Sequence, residues 1–389
     1  MRFTKSMFLL LPLTIAGFGQ TFRVESVANP SGPTSLQAHW GATPDGHPLL
    51  SWIEMAKDGS LTLRYAIRRD TQWSEPRTIV ANRHFFRQPA ESPSVISFGD
   101  GSLLAEWVEL PGTGEAEYIY VSASKDGTQW TAPAMAHKDR MPVQHALVSM
   151  AASGDREASL IWLEAPKGED APSILKRTVV SSDGKILNEE NLDPDVCTCC
   201  PTSIVRTSKG LLVAYRDHTP QEIRDIAVIR FENGHWLPSK ILHPDKWEIN
   251  ACPVNGPSAA AKDNRVAIGW HTEAEDSART QLMFSSDAGA TFGKLIRVST
   301  GNSFGHTSVV LDDDGSAIVS WLEEGQGTDG VRLLVRPVSG TGVAGPITQV
   351  AQGSMRTIGY PRLLHVRSET WIAWGNSATT KIQTARLVK

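Results

Sequence analysis

Long apolar runs are scarce in this chain of 389 residues, and after the first twenty none is long enough to cross a bilayer. Basic excess is missing too: the formal charge is -4, which argues against a general nucleic-acid-binding role. Cysteine is rare, with four residues, and none follows the N-terminal apolar stretch, so a lipid anchor there is not expected. Nor is there a Pro-, Gly- or Ser-rich linker to divide the chain. With 40% hydrophobic and 21% charged residues, what remains has the composition of an ordinary globular protein. A monomer is expected.

The first residues, MRFTKSMFLLLPLTIAGFGQ, place Arg2 and Lys5 before an apolar run from Met7 to Ala16 and a small-residue exit. This is the layout of a secretory leader, here residues 1–19, and predicts a periplasmic or secreted protein. Residues 20–389 are expected to form one domain.

Twelve tryptophans fall at regular places. An apolar strand ending in an aromatic recurs at Trp52, Trp107, Trp162, Tyr215, Trp270, Trp321 and Trp374, with spacings between 51 and 55 residues. Each unit divides into four short strands separated by turn residues, as in SPSVISF, SLLAEWVE, EYIYVSAS and a last strand near Trp130. Units of this length and strand number predict an all-β propeller of four-stranded blades, stacked round an axis because no blade buries both faces alone. Seven blades are expected, with six as the alternative. The final unit shows three strands, so Phe22–Ala28 is expected to add its outer strand and close the ring. The repeat aromatic should fill the space between neighbouring blades.

Several outer turns carry a second pattern. Ser285-Ser286-Asp287-Ala288-Gly289-Ala290-Thr291-Phe292 fits S-x-D-x-G-x-T-[WF]. Ser124–Trp130 is a version one residue shorter, and Ser181-Ser182-Asp183-Gly184 a fragment. The Asp caps its own turn and the Gly allows positive φ, so the motif is a folding device. Through it the chain resembles the bacterial sialidase-like Asp-box propellers, often labelled exo-α-sialidase. That resemblance implies glycan binding or exo-glycosidase activity, three arginines for a substrate carboxylate, a Tyr–Glu nucleophile pair and an Asp acid. The family's F/Y-R-I-P segment, which bears its first arginine, is absent here.

Loops that enter each first strand and leave each second strand should share the channel mouth. Two residues beyond the repeat aromatic stand Glu54, Glu109, Glu164, Asp217, Thr272, Glu323 and Asn376. Such a ring would bind a cation, supply carboxylates for glycoside cleavage, or cap backbone amides of neighbouring blades. The loop Tyr215–Asp225 departs from its siblings by concentrating charge: Arg216, Asp217, His218, Glu222 and Arg224. With Arg362 these arginines would clamp an anionic ligand. Tyr360 with Glu222 is the nominee for a nucleophile and base, and Asp217 for the acid. The alternative is a salt-bridge network beside a core-edge tyrosine.

All four cysteines lie in two matching stretches, Cys197-Thr198-Cys199-Cys200-Pro201-Thr202-Ser203 and Cys252-Pro253-Val254-Asn255-Gly256-Pro257-Ser258. Both precede first strands of adjacent units and should meet at the mouth. An exported protein favours a disulfide between Cys252 and one of Cys197, Cys199 or Cys200. Three or four thiolates, helped by His145, His271 or His306, would instead suit copper or zinc, and free redox-active thiols are the third reading. The residues therefore leave three functions open: a sialidase-like protein acting on or binding glycans, a periplasmic metal-binding or redox protein, and a protein-interaction scaffold.

Overall fold

A computed structural model describes residues 21–389 except 111, 113–115, 169–170, 328–329 and 376–380. The expected leader and Asn376 lie outside the described residues. Strands dominate, and they pair into seven antiparallel sheets that take the chain in order. Blade 4, for example, runs through Ser203–Thr207, Gly210–Arg216 and Ile226–Glu232, with an outer edge split into His235–Trp236 and Lys240–His243. The seven inner strands touch one another in sequence round the axis, and the last meets the first. The fold is a seven-bladed propeller.

Closure comes from the N-terminal strand. Arg23–Ser26 pairs antiparallel with the C-terminal strand Gln383–Val388, in the register Arg23 to Val388 and Ser26 to Ala385. Glu25 reinforces the join by accepting from Arg386 Nη2 at 2.7 Å. Blade 7 is thus completed by both ends of the chain.

The repeat aromatics explain why the blades stack. Trp52, Trp107, Trp162, Trp270 and Trp321 are fully buried, as is Tyr215. Each packs against the preceding blade: Trp107 sits with Leu49, Ile53 and Leu63 of blade 1, and Trp321 with Ala267 and Leu282 of blade 5. In blade 7, Trp374 is half-buried against blade 6, while Trp371 faces Trp40 and Trp52 of blade 1.

Leaving a buried indole N–H without an acceptor costs free energy, and strand alternation provides one in three blades. Residues two apart on a strand share a face, so a glutamate two beyond the tryptophan reaches back to it. Trp52 Nε1 donates to Glu54 Oε2 at 3.1 Å, Trp107 to Glu109 Oε1 at 2.5 Å and Trp321 to Glu323 Oε2 at 3.0 Å. Glu54 and Glu323 also accept from the backbone N–H groups of Gly32 and Gly301. The other blades use other acceptors: Trp270 turns to Asp245, Trp162 to Thr178 although Glu164 stands two residues on, and the Tyr215 hydroxyl to Asp193. Glu54, Glu109 and Glu323 are therefore tied to donors of their own blades, not to the backbone amides of neighbouring blades that the capping alternative expected.

The Asp-box turns fold as the motif requires. Asp287 accepts from the backbone and hydroxyl of Thr291 at 2.9 and 2.7 Å, and Ser285 Oγ accepts from Gly289 N. In blade 2 the turn also locks to blade 1, because Tyr65 Oη donates to Gly127 O at 2.6 Å. Gly127 has φ +70°, and a Cβ there would lie 2.4 Å from that hydroxyl.

Glu323→Ala removes the acceptor for a buried indole and is expected to cost about 2–3 kcal/mol. Glu323→Gln keeps an acceptor oxygen and should cost less. Urea unfolding followed by tryptophan fluorescence measures both, and equal losses would contradict this account.

Candidate functional site

The antiparallel order puts the loops before inner strands and after second strands on one face. The Asp-box turns, between third and fourth strands, lie on the other. On the mouth face, the two cysteine stretches that precede blades 4 and 5 pack directly together. Gly256 makes this possible: a Cβ there would stand 1.8 Å from Pro201 O. Cys199 and Cys252 are joined by a disulfide across 53 residues, with Cα atoms 5.9 Å apart. Adjacent blades are stapled at the mouth.

Cys197 and Cys200 remain thiols, both buried. Their sulfurs are 3.0 Å apart, and Cys197 Sγ is 3.9 Å from Cys199 Sγ. The neighbouring Cys200 thiol holds Cys197 down to about 6, against burial, which raises it; Arg216, the Cys199 amide and Arg224 add to the lowering. Burial and the Cys197 charge push Cys200 well up. One thiol of the pair is therefore prepared to ionise and the other is not.

The charged loop of blade 4 approaches Cys197 from the side. Arg224 Nη1 lies 3.6 Å from Cys197 Sγ, and its Nη2 donates to Glu222 Oε2 at 2.7 Å. Glu222 stands 3.4 Å from His218 Nε2, whose Nδ1 meets Asp195 Oδ1 at 2.6 Å. Arg224 and then His218 keep the Glu222 carboxyl below its usual range. A file of polar contacts, Asp195, His218, Glu222 and Arg224, so leads to the sulfur. Together with Cys197, Gln88, Gln144 and Asn250, the last three members line a cavity of about 350 Å³ at the mouth.

Other nominated residues are engaged elsewhere. Arg216 is fully buried and spends its guanidinium on three backbone carbonyls, those of Asn255, Arg224 and His271, with its plane over Trp247. It braces the mouth loops. Arg362 is buried and donates to Ala90 O at 3.4 Å, and its charge lies beside the Tyr360 ring and Glu91. Tyr360 donates to Val254 O at 2.5 Å, and burial raises its hydroxyl far above the usual value. Its ring stacks on His306 at 3.9 Å. The structure does not assemble Tyr360 with Glu222, nor the three arginines as one clamp. Asp217 is pushed up to about 6 by burial and then by Asp193, and it is not among the residues that line the cavity.

The histidines do not join the sulfurs. His145 Nδ1 meets Glu117 O, His271 Nε2 meets Glu273, and His306 Nδ1 meets Gly359 O. With Cys199 held in the disulfide, the cluster offers two thiols, fewer than the four ligands of a closed structural zinc site. His145 does lie near Asp139 and Glu164, but Lys176 Nζ already places a cation on Glu164 at 2.9 Å.

Sequence reasoning missed Gln88 and Asn250, which lie on loops, and Gln144, which starts the strand Gln144–Ala152; the three come from different blades. It also missed Glu91, a fully buried carboxyl pushed up to about 7 by burial and held by the Leu147 and Val148 amides.

Neither a family model nor a curated protein matches this sequence. Solved structures do match in fold. The BP39L lectin from Burkholderia pseudomallei is 12% identical with a TM-score of 0.61, covering 92% of this chain and 97% of its own. An α-L-arabinanase from Penicillium chrysogenum, solved with arabinobiose, is 12% identical with a TM-score of 0.53, covering 94% and 98%. A Hadza microbial sialidase is 14% identical with a TM-score of 0.49, covering 84% and 73%. At these identities the likeness is one of fold. The chain is a seven-bladed propeller of the architecture found in lectins and glycoside hydrolases.

Two outcomes follow from the site. Alkylation of Cys197 by iodoacetamide should rise with pH through a midpoint near 6, since the thiolate reacts and forms above its pKa. Cys200→Ala should move that midpoint upward and Arg224→Gln should move it less; an unmoved midpoint in both would contradict the assignment. Replacing Cys199 and Cys252 together by Ser opens a 53-residue loop and should cost roughly 4 kcal/mol, read from the urea midpoint.

Proposed function

We propose that this chain is an exported carbohydrate-binding propeller that holds a glycan end in the mouth cavity beside blade 4. The observation that carries this reading is the cavity's lining. Glu222 supplies an ionised acceptor, and Arg224, Gln88, Gln144 and Asn250 supply donors from several blades around about 350 Å³. Sugar hydroxyls both donate and accept, so a mixed polar wall of this kind suits them, and Phe86 adds an apolar face. The propellers it resembles in fold include one described as a lectin and one solved with arabinobiose.

Binding is favoured over hydrolysis. Glycoside cleavage needs two carboxyls, or a nucleophile and an acid, flanking one bond. Here Tyr360 is tied to a backbone carbonyl and Asp217 is not among the residues that line the cavity. A scaffold role has less support, because the exposed large apolar residues Met141, Leu187, Ile241, Leu295, Val343 and Met355 are spread over several blades. Export would place the site in the periplasm or outside the cell, where a structural disulfide persists.

Glycan-array screening followed by tryptophan-fluorescence titration tests the reading. A hit whose affinity falls at least tenfold in Glu222→Gln and Asn250→Ala is the expected result. No binding across the array, or turnover of an aryl glycoside that is lost in Tyr360→Phe, would overturn it. The N-terminal mass of protein recovered from the periplasmic fraction checks removal of the leader.

A further inference from the structure

Two of the four cysteines have no part in the ring, the staple or the glycan reading. Cys197 and Cys200 stand three positions apart on the turn between the outer strand of blade 3, Ile186–Val196, and the inner strand of blade 4. Their placement is unequal. Cys197 lines the mouth cavity, while Cys200 lies beneath it and does not. The Cys197 amide is fixed to Arg216 O at 3.1 Å, and the Cys199–Cys252 disulfide pins the residue between them to the next blade. With sulfurs 3.0 Å apart, the two need little movement to bond. Arg224 brings a guanidinium to 3.6 Å from the outer sulfur alone.

We propose that Cys197 and Cys200 are a redox-active dithiol that exchanges with small disulfides entering the mouth cavity. Cys197 is the attacking sulfur and Cys200 the resolving one. The Cys197 thiolate attacks one sulfur of the incoming disulfide. A bond forms to Cys197 Sγ, the external S–S bond breaks, and the other half leaves as a thiolate that takes a proton. Cys200, losing its proton, then attacks Cys197 Sγ and releases the second half as a thiol. Two electrons and two protons pass to the external disulfide, which leaves as two thiols, and the pair is left as a Cys197–Cys200 disulfide. A small thiol in excess drives the same steps in reverse. The Cys199–Cys252 bond is conserved throughout and keeps the turn in register.

The asymmetry is what separates this pair from two inert core cysteines. A buried structural thiol has no cation beside it and no route to solvent, whereas Cys197 has both. The file from Asp195 through His218 and Glu222 fixes the Arg224 side chain, so the cation is held in place.

The test uses the full exported chain with its staple intact, equilibrated in mixtures of reduced and oxidised glutathione. After acid quenching, free thiols are counted by maleimide labelling. The expected result is loss of both thiols in one two-electron step, with Cys199–Cys252 unchanged by peptide mapping. Cys200→Ser should trap one glutathione on Cys197, seen by intact mass, and Cys197→Ser should trap none. Arg224→Gln should slow adduct formation at pH 7 by roughly twofold to tenfold. A thiol count that stays at two, with no adduct on Cys200→Ser of native circular dichroism, overturns the proposal. So does stoichiometric zinc or copper that protects both thiols until chelated, which would make the cluster a metal centre. No readout involves a sugar, so the glycan reading fails or survives separately.

Discussion

Each blade's second-strand aromatic is buried by the blade before it, and the whole molecule depends on that one-sided arrangement being closed into a circle. A row of such blades would leave one end with an uncovered face. Pairing of Arg23–Ser26 with Gln383–Val388 removes that end and makes blade 7 a cover for blade 1. In blades 1, 2 and 6 the glutamate two residues on completes the device by accepting from the indole, since a buried N–H left unpaired costs free energy. The acids that a motif search would place in an active site are committed to folding.

The same economy governs the arginines. Arg216 belongs by position to the most highly charged loop of the chain, yet it holds three carbonyls from three segments of the mouth. Asn255 works with it, accepting through its carbonyl while its side chain ties Pro253, Phe304 and the His306 amide. Bracing of this kind fixes the cysteine-bearing turns. What is left over, Arg224 with Glu222 and His218, is the part free to meet a ligand.

The staple and the thiol pair show how one stretch serves two purposes. Blade stacking brings the Cys197–Ser203 and Cys252–Ser258 stretches into contact, and Gly256 lets their backbones approach. Once Cys199 bonds Cys252, the remaining two sulfurs are held side by side without further choice. The Cys200 hydrogen bond, helped by Arg216 and Arg224, lowers Cys197, while burial and the Cys197 sulfur raise Cys200, and this gives the two different acidities.

Composition and periodicity determined a great deal here. Seven aromatics at near-equal spacing, four strands to a unit and a three-stranded last unit carried blade number and closure, because repeats make each local pattern a copy of the next. The Asp-box turns were equally legible, their bonds being local to a few residues. The C-x-x-C spacing of Cys197 and Cys200 was also present in the chain, hidden within the denser cluster. Partner choice was not legible. Which cysteine bonds Cys252, that Tyr360 meets Val254 O, and that Arg216 turns inward and Arg224 toward sulfur all depend on side-chain direction across blades. Sequence spacing orders residues along a strand, whereas contacts between blades are set by how the ring closes, and only the tertiary structure decides that.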